Sequence, residues 1–218
     1  MDRHNDLAER LKHGTTTRVR IFVDHANFER GWKRAGQGKY RIGWKALPNA
    51  ILKQLKNNEY LQDRELELRG VSVYASIHPE PNEMDLQQEN WLRYWLDQLP
   101  GYTVKLSERQ PRTARNDQGE DFTYFVEKGV DTKIACDMLT HAMRDLYDLG
   151  VLISDDADLV PSVECVQDLL DRQVVHAGFR EAKCGSIRSS AWSHVLLDKM
   201  LGDIRGDARQ KGEPVAPA

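Results

Sequence analysis

The sequence predicts an α/β fold in which one parallel sheet carries helices on both faces. Two observations support this. Short apolar runs alternate with segments whose apolar residues recur at helical spacing, and strands alternating with helices build parallel sheets through right-handed crossovers. The chain has 218 residues, enough for one such domain with a sizeable core and short extra segments.

Residues 1–17 read as an N-terminal arm, loose or shortly helical, ahead of a domain at 18–205. The apolar run 18–23 is a central strand, and 25–34 leave it as a loop or helix start, with Gly31, Gly36 and Gly38 interrupting regular structure there. Leu47, Ile51, Leu52 and Leu55 give a helix over 44–56. Residues 71–77 form a second strand, ended by His78-Pro79-Glu80-Pro81. Met84, Trp91, Leu92, Trp95 and Leu99 mark a helix over 83–99, stopped at Pro100-Gly101, and its stripe assigns Trp91 and Trp95 to the core. A third strand covers 102–106, and the polar, turn-rich stretch 109–121 reads as a loop or an exposed hairpin. The strongest helix spans 132–146, where Ile134, Met138, Leu139, Ala142 and Leu146 form one stripe. A fourth strand at 151–154, a helix at 159–170, a fifth strand at 174–177 and a closing helix at 187–205 complete the domain. Residues 206–218, rich in Gly, Pro and charge, read as a disordered tail.

Composition removes several function classes. A net charge of -3, from 31 basic and 34 acidic residues, does not advertise nucleic-acid binding, although a total hides clustering. Cys136, Cys165 and Cys184 are widely spaced and form no CxxC pair, which argues against a zinc site or a disulfide framework and for a reducing compartment. No apolar run approaches the roughly 20 residues needed to span a bilayer. The polar N-terminus is no secretory signal, so the sequence predicts a soluble, cytoplasmic protein with no membrane partner. The glycines between 31 and 43 match neither the dinucleotide fingerprint nor the P-loop consensus, which disfavours a dehydrogenase or a P-loop enzyme.

The most informative segment is Ser154-Asp155-Asp156-Ala157-Asp158, which crowds three carboxylates at a strand end. Two unit charges about 4 Å apart repel by roughly 4 kcal/mol at an effective dielectric near 20. Such crowding calls for a bound cation or a shared proton. Asp24 lies just past the first strand, and Asp131 opens the helix that leads into the fourth. In open parallel sheets the functional crevice lies beyond the carboxyl ends of the strands, so Asp24, Asp131, Asp156 and Asp158 are predicted to converge there. Helix capping is the competing role for Asp24, Asp131 and Asp158. Capping leaves Asp156 unexplained, and it does not explain why all the acids fall at one end of the sheet. Hard oxygen ligands without a supporting Cys point to Mg²⁺ or Mn²⁺, and such a cluster suits metal-assisted phosphodiester hydrolysis.

Three blocks, Asp24-His25-Ala26-Asn27, Lys128-Gly129-Val130-Asp131 and the Ser154-to-Asp158 segment, together resemble the signature blocks of the NYN domain. NYN domains belong to the PIN-like group of ribonucleases, and the chain is similar to their bacterial LabA-like members. The resemblance runs from about Arg18 to about Trp192. It implies a Rossmann-like (PIN-like) three-layer fold with a five-stranded, mostly parallel sheet in order 3-2-1-4-5. It also implies a Mg²⁺- or Mn²⁺-dependent endoribonuclease acting on single-stranded or structured RNA. Asp24, Asp131, Asp156 and Asp158 match the catalytic, metal-binding acids. Asn27 and Ser154 match the family asparagine and serine and would hold ligands or phosphate. Asp137 also matches a family acid, but six residues past Asp131 is about 120° around a helix, so it reads mainly as a neighbour or an ion-pair partner. Asp155 stands where the family usually has Gly, and Leu159 where it often has Phe.

Around these blocks, Lys128 could reach a substrate phosphate as a point charge. Arg109, Arg112 and Arg115, followed by Tyr124 and Phe125, suit contact with a single-stranded backbone; the alternative is a solubilising loop, and the two aromatics are assigned to packing. Neither His25 nor His78 has metal-ligand spacing to another His, and His25 is the better candidate for touching substrate. The competing function is a non-catalytic RNA-binding or regulatory module that keeps the pocket. A phosphatase with Asp24 as nucleophile would favour a second Asp where Ala26 stands. A homo-oligomer is compatible with either leading reading.

Overall fold

The computed structural model describes residues 16–181 and 185–208. Most of the expected arm, the expected tail from residue 209, and Cys184 lie outside the described residues. In chain order the elements are β1 (Thr16–Asp24), α1 (His25–Trp32), β2 (Tyr40–Ile42), α2 (Leu47–Leu55), β3 (Glu65–Ile77), α3 (Glu83–Trp91), β4 (Tyr102–Glu108), β5 (Gln110–Arg115) and β6 (Asp121–Val126). They continue as α4 (Val130–Met143), β7 (Leu149–Ile153), α5 (Val160–Asp168), β8 (Gln173–Gly178), α6 (Gly185–Ser190), β9 (Ser193–Leu196) and β10 (Arg205–Ala208).

Six of the strands form one parallel sheet in the order β4-β3-β1-β7-β8-β9. The first five follow the expected 3-2-1-4-5 order, and β9 is an addition. Alternation along β1 separates the two helical layers, because successive side chains point to opposite faces. Val19, Ile21 and Val23 enter one core with Phe28 and Trp32 of α1, Leu47 and Ile51 of α2, and Leu92 and Leu96. Phe22 enters the other with Tyr74, Ile134 and Met138 of α4, and Val163 and Val166 of α5.

The expected closing helix at 187–205 is not formed. The chain makes α6, then β9, then a short 3₁₀ turn, then β10, which pairs antiparallel with β2. Trp192 marks the switch: its N–H donates to Val174 O at 3.0 Å and lies 2.8 Å from Gln167 Oε1, which draws the chain alongside β8. Thr16 and Thr17 belong to β1, and residues 206–208 to β10.

The aromatic stripe of α3 is only partly core. A π turn at Leu92–Leu96 continues the helix, with Asp97 N–H donating to Leu92 O. The wider turn keeps Leu92 and Leu96 buried but rotates Trp95 outward, leaving it 40% exposed and stacked on Trp91. Met84 is likewise exposed.

At the amino end of the sheet, Asp148 staples β1 to the start of β7. Its carboxylate accepts from the Arg18 backbone N–H at 2.9 Å and from Arg18 Nε and Nη2 at 3.0 and 2.7 Å. Burial pushes this carboxyl up, but the bonds from Arg18 outweigh it and hold it below the usual carboxylate value. Asp148→Ala should destabilise the fold by about 1.5 kcal/mol, the low end for bonds to a charged group, because the pair is partly open to solvent. A group with a depressed native pKa stabilises above its unfolded value and loses that contribution as pH falls through the native one. Urea denaturation should therefore show the wild-type advantage at pH 7 and its decline below about pH 4. An advantage that persists unchanged at pH 2 would refute the ionic origin.

Candidate active site

Register builds the centre of the site. Val23 of β1 pairs with Ile153 of β7, so the next residues, Asp24 and Ser154, emerge side by side from the carboxyl edge of the sheet. Both are buried, at 3% and 1% exposure. Ser154 Oγ donates to Asp24 Oδ2 at 3.1 Å, and the Asn27 N–H donates to Asp24 Oδ1 at 3.0 Å, which makes Asp24 the N-cap of α1. Burial pushes the Asp24 carboxyl up to about 6. The charges of Glu127 and Asp131 add to the rise, while the hydrogen bonds from Asn27 and Ser154 oppose it.

Asp131 reaches the same edge from α4. Gly129 takes the left-handed φ of 82° at the turn and caps the helix, so Asp131 falls inside the first turn and is not the expected cap. Its carboxyl is raised by partial burial and then by the charges of Asp156, Glu127 and Asp158. Asp156 and Asp158 lie on the loop and short 3₁₀ turn after β7. The Asp156 N–H donates to Ser154 Oγ at 3.3 Å, and Asp156 Oδ1 accepts from the Asp158 N–H at 2.9 Å. Capping therefore falls to Asp156 rather than Asp158, and α5 begins without a side-chain cap.

Acids from β1, α4 and the loop after β7 thus sense one another electrostatically. Among the described residues, no three His, Cys, Asp or Glu side chains stand close enough together to form a ready-made metal cage. Glu127 was not anticipated as a member of this group, yet its charge acts on both Asp24 and Asp131. Its signal in the sequence is its place directly before Lys128 in the connection to α4. Asp155, the departure from the usual glycine, turns away from the other acids. Its Oδ1 lies 3.1 Å from Nε2 of His176, which is buried in β8. This pair needs Gly178: a Cβ there would stand 2.5 Å from the imidazole Cε1 and 2.7 Å from Asp155 Oδ1.

The remaining candidates divide by location. Asn27 meets Asp24 through its backbone. Lys128 is exposed in the connection leading to Asp131. Arg109 follows β4, and its Nε donates to Ser76 Oγ at 3.2 Å, on the same face of β3 as Tyr74, the strand partner of Asp24. Arg112 and Arg115 lie further out, on the β5–β6 hairpin formed by the stretch expected as loop or hairpin. His25 is buried and stacks on Trp44 with ring centroids 5.8 Å apart, a packing role that removes it from the solvent-facing side. Asp137 faces inward, accepting from Tyr74 Oη at 2.6 Å and pairing with Lys105 Nζ at 2.5 Å, as its turn from Asp131 around α4 requires.

The raised carboxyl of Asp24 makes a stability prediction. Between about pH 4 and pH 6 the native state holds a proton that the unfolded chain releases, so this residue lowers stability as pH rises through that window. In EDTA, Asp24→Asn should raise stability at pH 7 by about 2 kcal/mol, and the gain should vanish below about pH 4. Thermal melts across this range check it. A variant that is less stable than wild type at pH 7 would overturn the assignment of strain to that carboxylate.

No curated protein matches the sequence. Among solved structures, a protein of unknown function from Vibrio parahaemolyticus RIMD 2210633 shares the fold, with a TM-score of 0.56 and 21% identity over 88% of this chain and 97% of that one. The model of the NYN domain matches residues 18–196, a span that contains all three acidic blocks. The chain belongs to the NYN domain family.

Proposed function

We propose that this protein is a Mg²⁺- or Mn²⁺-dependent endoribonuclease. NYN domains fall within the PIN-like nuclease superfamily, which supports a hydrolase acting on nucleic-acid phosphodiesters. The observation that carries the reading is that Asp24, Asp131, Asp156 and Asp158 come from three chain segments to one sheet edge, with Ser154 bonded to the buried Asp24 and to the Asp156 N–H, and with Asp131 facing the charges of Asp156 and Asp158. Carboxylates are the hard oxygen donors that suit a divalent cation, and its charge would relieve the repulsion that Asp131 exerts on Asp24 and that Asp156 and Asp158 exert on Asp131, effects that add to the larger one of burial. These four acids would hold it, and when bound it supplies the positive charge that activates water and steadies the leaving oxygen.

The chain's own groups have defined parts in this reading. Ser154 fixes the rotamer of Asp24 and, by accepting the Asp156 N–H, sets the start of the acidic loop. Asn27 stands at the first turn of α1, where its side chain can meet a phosphate. Lys128 lies exposed three residues before Asp131, Arg109 is bonded to Ser76 of β3, and Arg112 and Arg115 extend the basic character outward along the hairpin. Flanking cations offset the repulsion between an acidic pocket and a polyanion. A non-catalytic RNA-binding module is the second reading, favoured by the absence of a ready-made cage among the described residues.

Two measurements separate them. Asp156→Asn, nearly isosteric, should fold as wild type and lose at least about a hundred-fold in Mn²⁺-dependent RNA cleavage, an effect of the size of a lost charge-stabilising group. Cleavage equal to wild type would remove Asp156 from the chemistry. Mn²⁺ should also raise the melting temperature in a concentration-dependent way, since an ion bound only by the native state stabilises by mass action. A melting temperature flat across the titration, together with retained RNA binding, would favour the non-catalytic module. No helix among the described residues is long and apolar enough to cross a membrane.

A further inference from the structure

The β5–β6 hairpin leads into the acidic edge, and its two faces differ. Antiparallel register sets Arg112 opposite Tyr124 and Ala114 opposite Phe122, so these four side chains share one face. The other face carries Pro111 opposite Phe125, Thr113 opposite Thr123 and Arg115 opposite Asp121. That second face is occupied. Phe125 packs on His78 with ring centroids 4.2 Å apart, and Arg115 Nε pairs with Asp121 at 2.8 Å. The first face is open. Phe122 and Tyr124 are 48% and 44% exposed, their centroids lie 6.0 Å apart, and Arg112 is exposed with no ion pair among the described residues.

Two half-exposed rings side by side, next to a guanidinium with no ion pair among the described residues, leave this face turned to solvent. We propose that this face is a base-stacking platform for single-stranded RNA, with Phe122 and Tyr124 each carrying a base and Arg112 holding the backbone. The proposal rests on the reading of the protein as an RNA-acting one and adds where, and how, the strand is held. Charge and shape choose the occupant. Unstacked bases present flat apolar faces to aromatic rings while their phosphates seek cations, and base–aromatic stacking tolerates any sequence. Ala114, opposite Phe122, is small enough to leave the ring uncovered. The tip residues Asp117 and Glu120 repel a polyanion, which confines the strand to the half of the hairpin nearer the domain. From there β6 runs directly into Glu127-Lys128-Gly129-Val130-Asp131, so a strand lying on the platform is one short connection from the acids.

The test uses the full chain, a fluorescent single-stranded oligouridine and anisotropy in EDTA, where cleavage is off. The double variant Phe122→Ala with Tyr124→Ala should bind about tenfold or more weakly, given the usual size of one or two lost stacks, with an unchanged slope of log K against log salt. Exchanging the rings, Phe122→Tyr with Tyr124→Phe, should restore wild-type affinity, which a merely unfolded hairpin would not do. Arg112→Ala should lower the magnitude of the salt slope by about 0.7. Equal affinity in the double alanine variant overturns the platform, as does equal weakening in the exchanged variant. A dimer in sedimentation that the double alanine variant dissolves without loss of RNA affinity would make this face a contact between copies of the chain, and would likewise overturn it. Ring-dependent binding in a protein that never cleaves would sustain the platform and refute the nuclease reading. Cleavage that survives with ring-independent binding would do the reverse.

Discussion

The parallel pairing of β1 with β7 is the contact on which the rest of the site depends. Because Val23 and Ile153 are partners, Asp24 and Ser154 must leave the sheet together. The serine hydroxyl then meets the carboxylate with both groups buried. A carboxylate so placed loses hydration, and two hydrogen bonds do not restore it, so its acidity falls. The other acids increase the strain rather than relieve it. Asp131 arrives on the first turn of α4 and Asp156 on the loop whose start Ser154 holds, and each brings negative charge. The fold therefore holds an unfavourable electrostatic arrangement in place with its two apolar cores.

Much of this was legible in the sequence, for reasons that differ by element. The five expected strands carry short apolar runs between helical stripes, and their order is the one that the resemblance to the NYN domain implied. β9 and β10 were not legible. Ile187, Ala191 and Val195 are spaced four apart and imitate a helical stripe, and no Gly or Pro interrupts them. Only the capture of the Trp192 N–H by Val174 and Gln167, a contact between distant parts of the chain, turns that stretch into a strand. Trp95 was misread for a related reason, since one π turn rephases a stripe that sequence spacing treats as regular.

At the site, the acids at strand and helix ends could be placed because a parallel sheet collects those ends on one side. The role of each as a cap could not, because a small shift in a helix start moves an acid from cap to first turn, as at Asp131. Glu127 escaped notice because it stands before the block that drew attention, and exposure gives a residue no periodic mark. The hairpin illustrates a complementary limit. Its basic residues were visible as a cluster, but pairing register distributes them: Arg115 goes to one face with Asp121, and Arg112 to the other with the rings. A net charge of -3 conceals this separation of the acids at the sheet edge from the basic residues of the hairpin.

The contact between Asp155 and His176 has a consequence for how such sequences can diverge. Asp155 occupies a turn position next to the acidic loop, and its carboxylate fills the space over Gly178. Any side chain at 178 would collide with both members of the pair. Three positions spread along the chain are therefore one unit of inheritance. A lineage that keeps both the acid at 155 and the imidazole at 176 has no room for a side chain at 178 unless both side chains move. Conversely, a relative with glycine at the equivalent of 155 is relieved of one side of that restriction. Change at 178 is therefore tied to the imidazole at 176 even where 155 carries no acid.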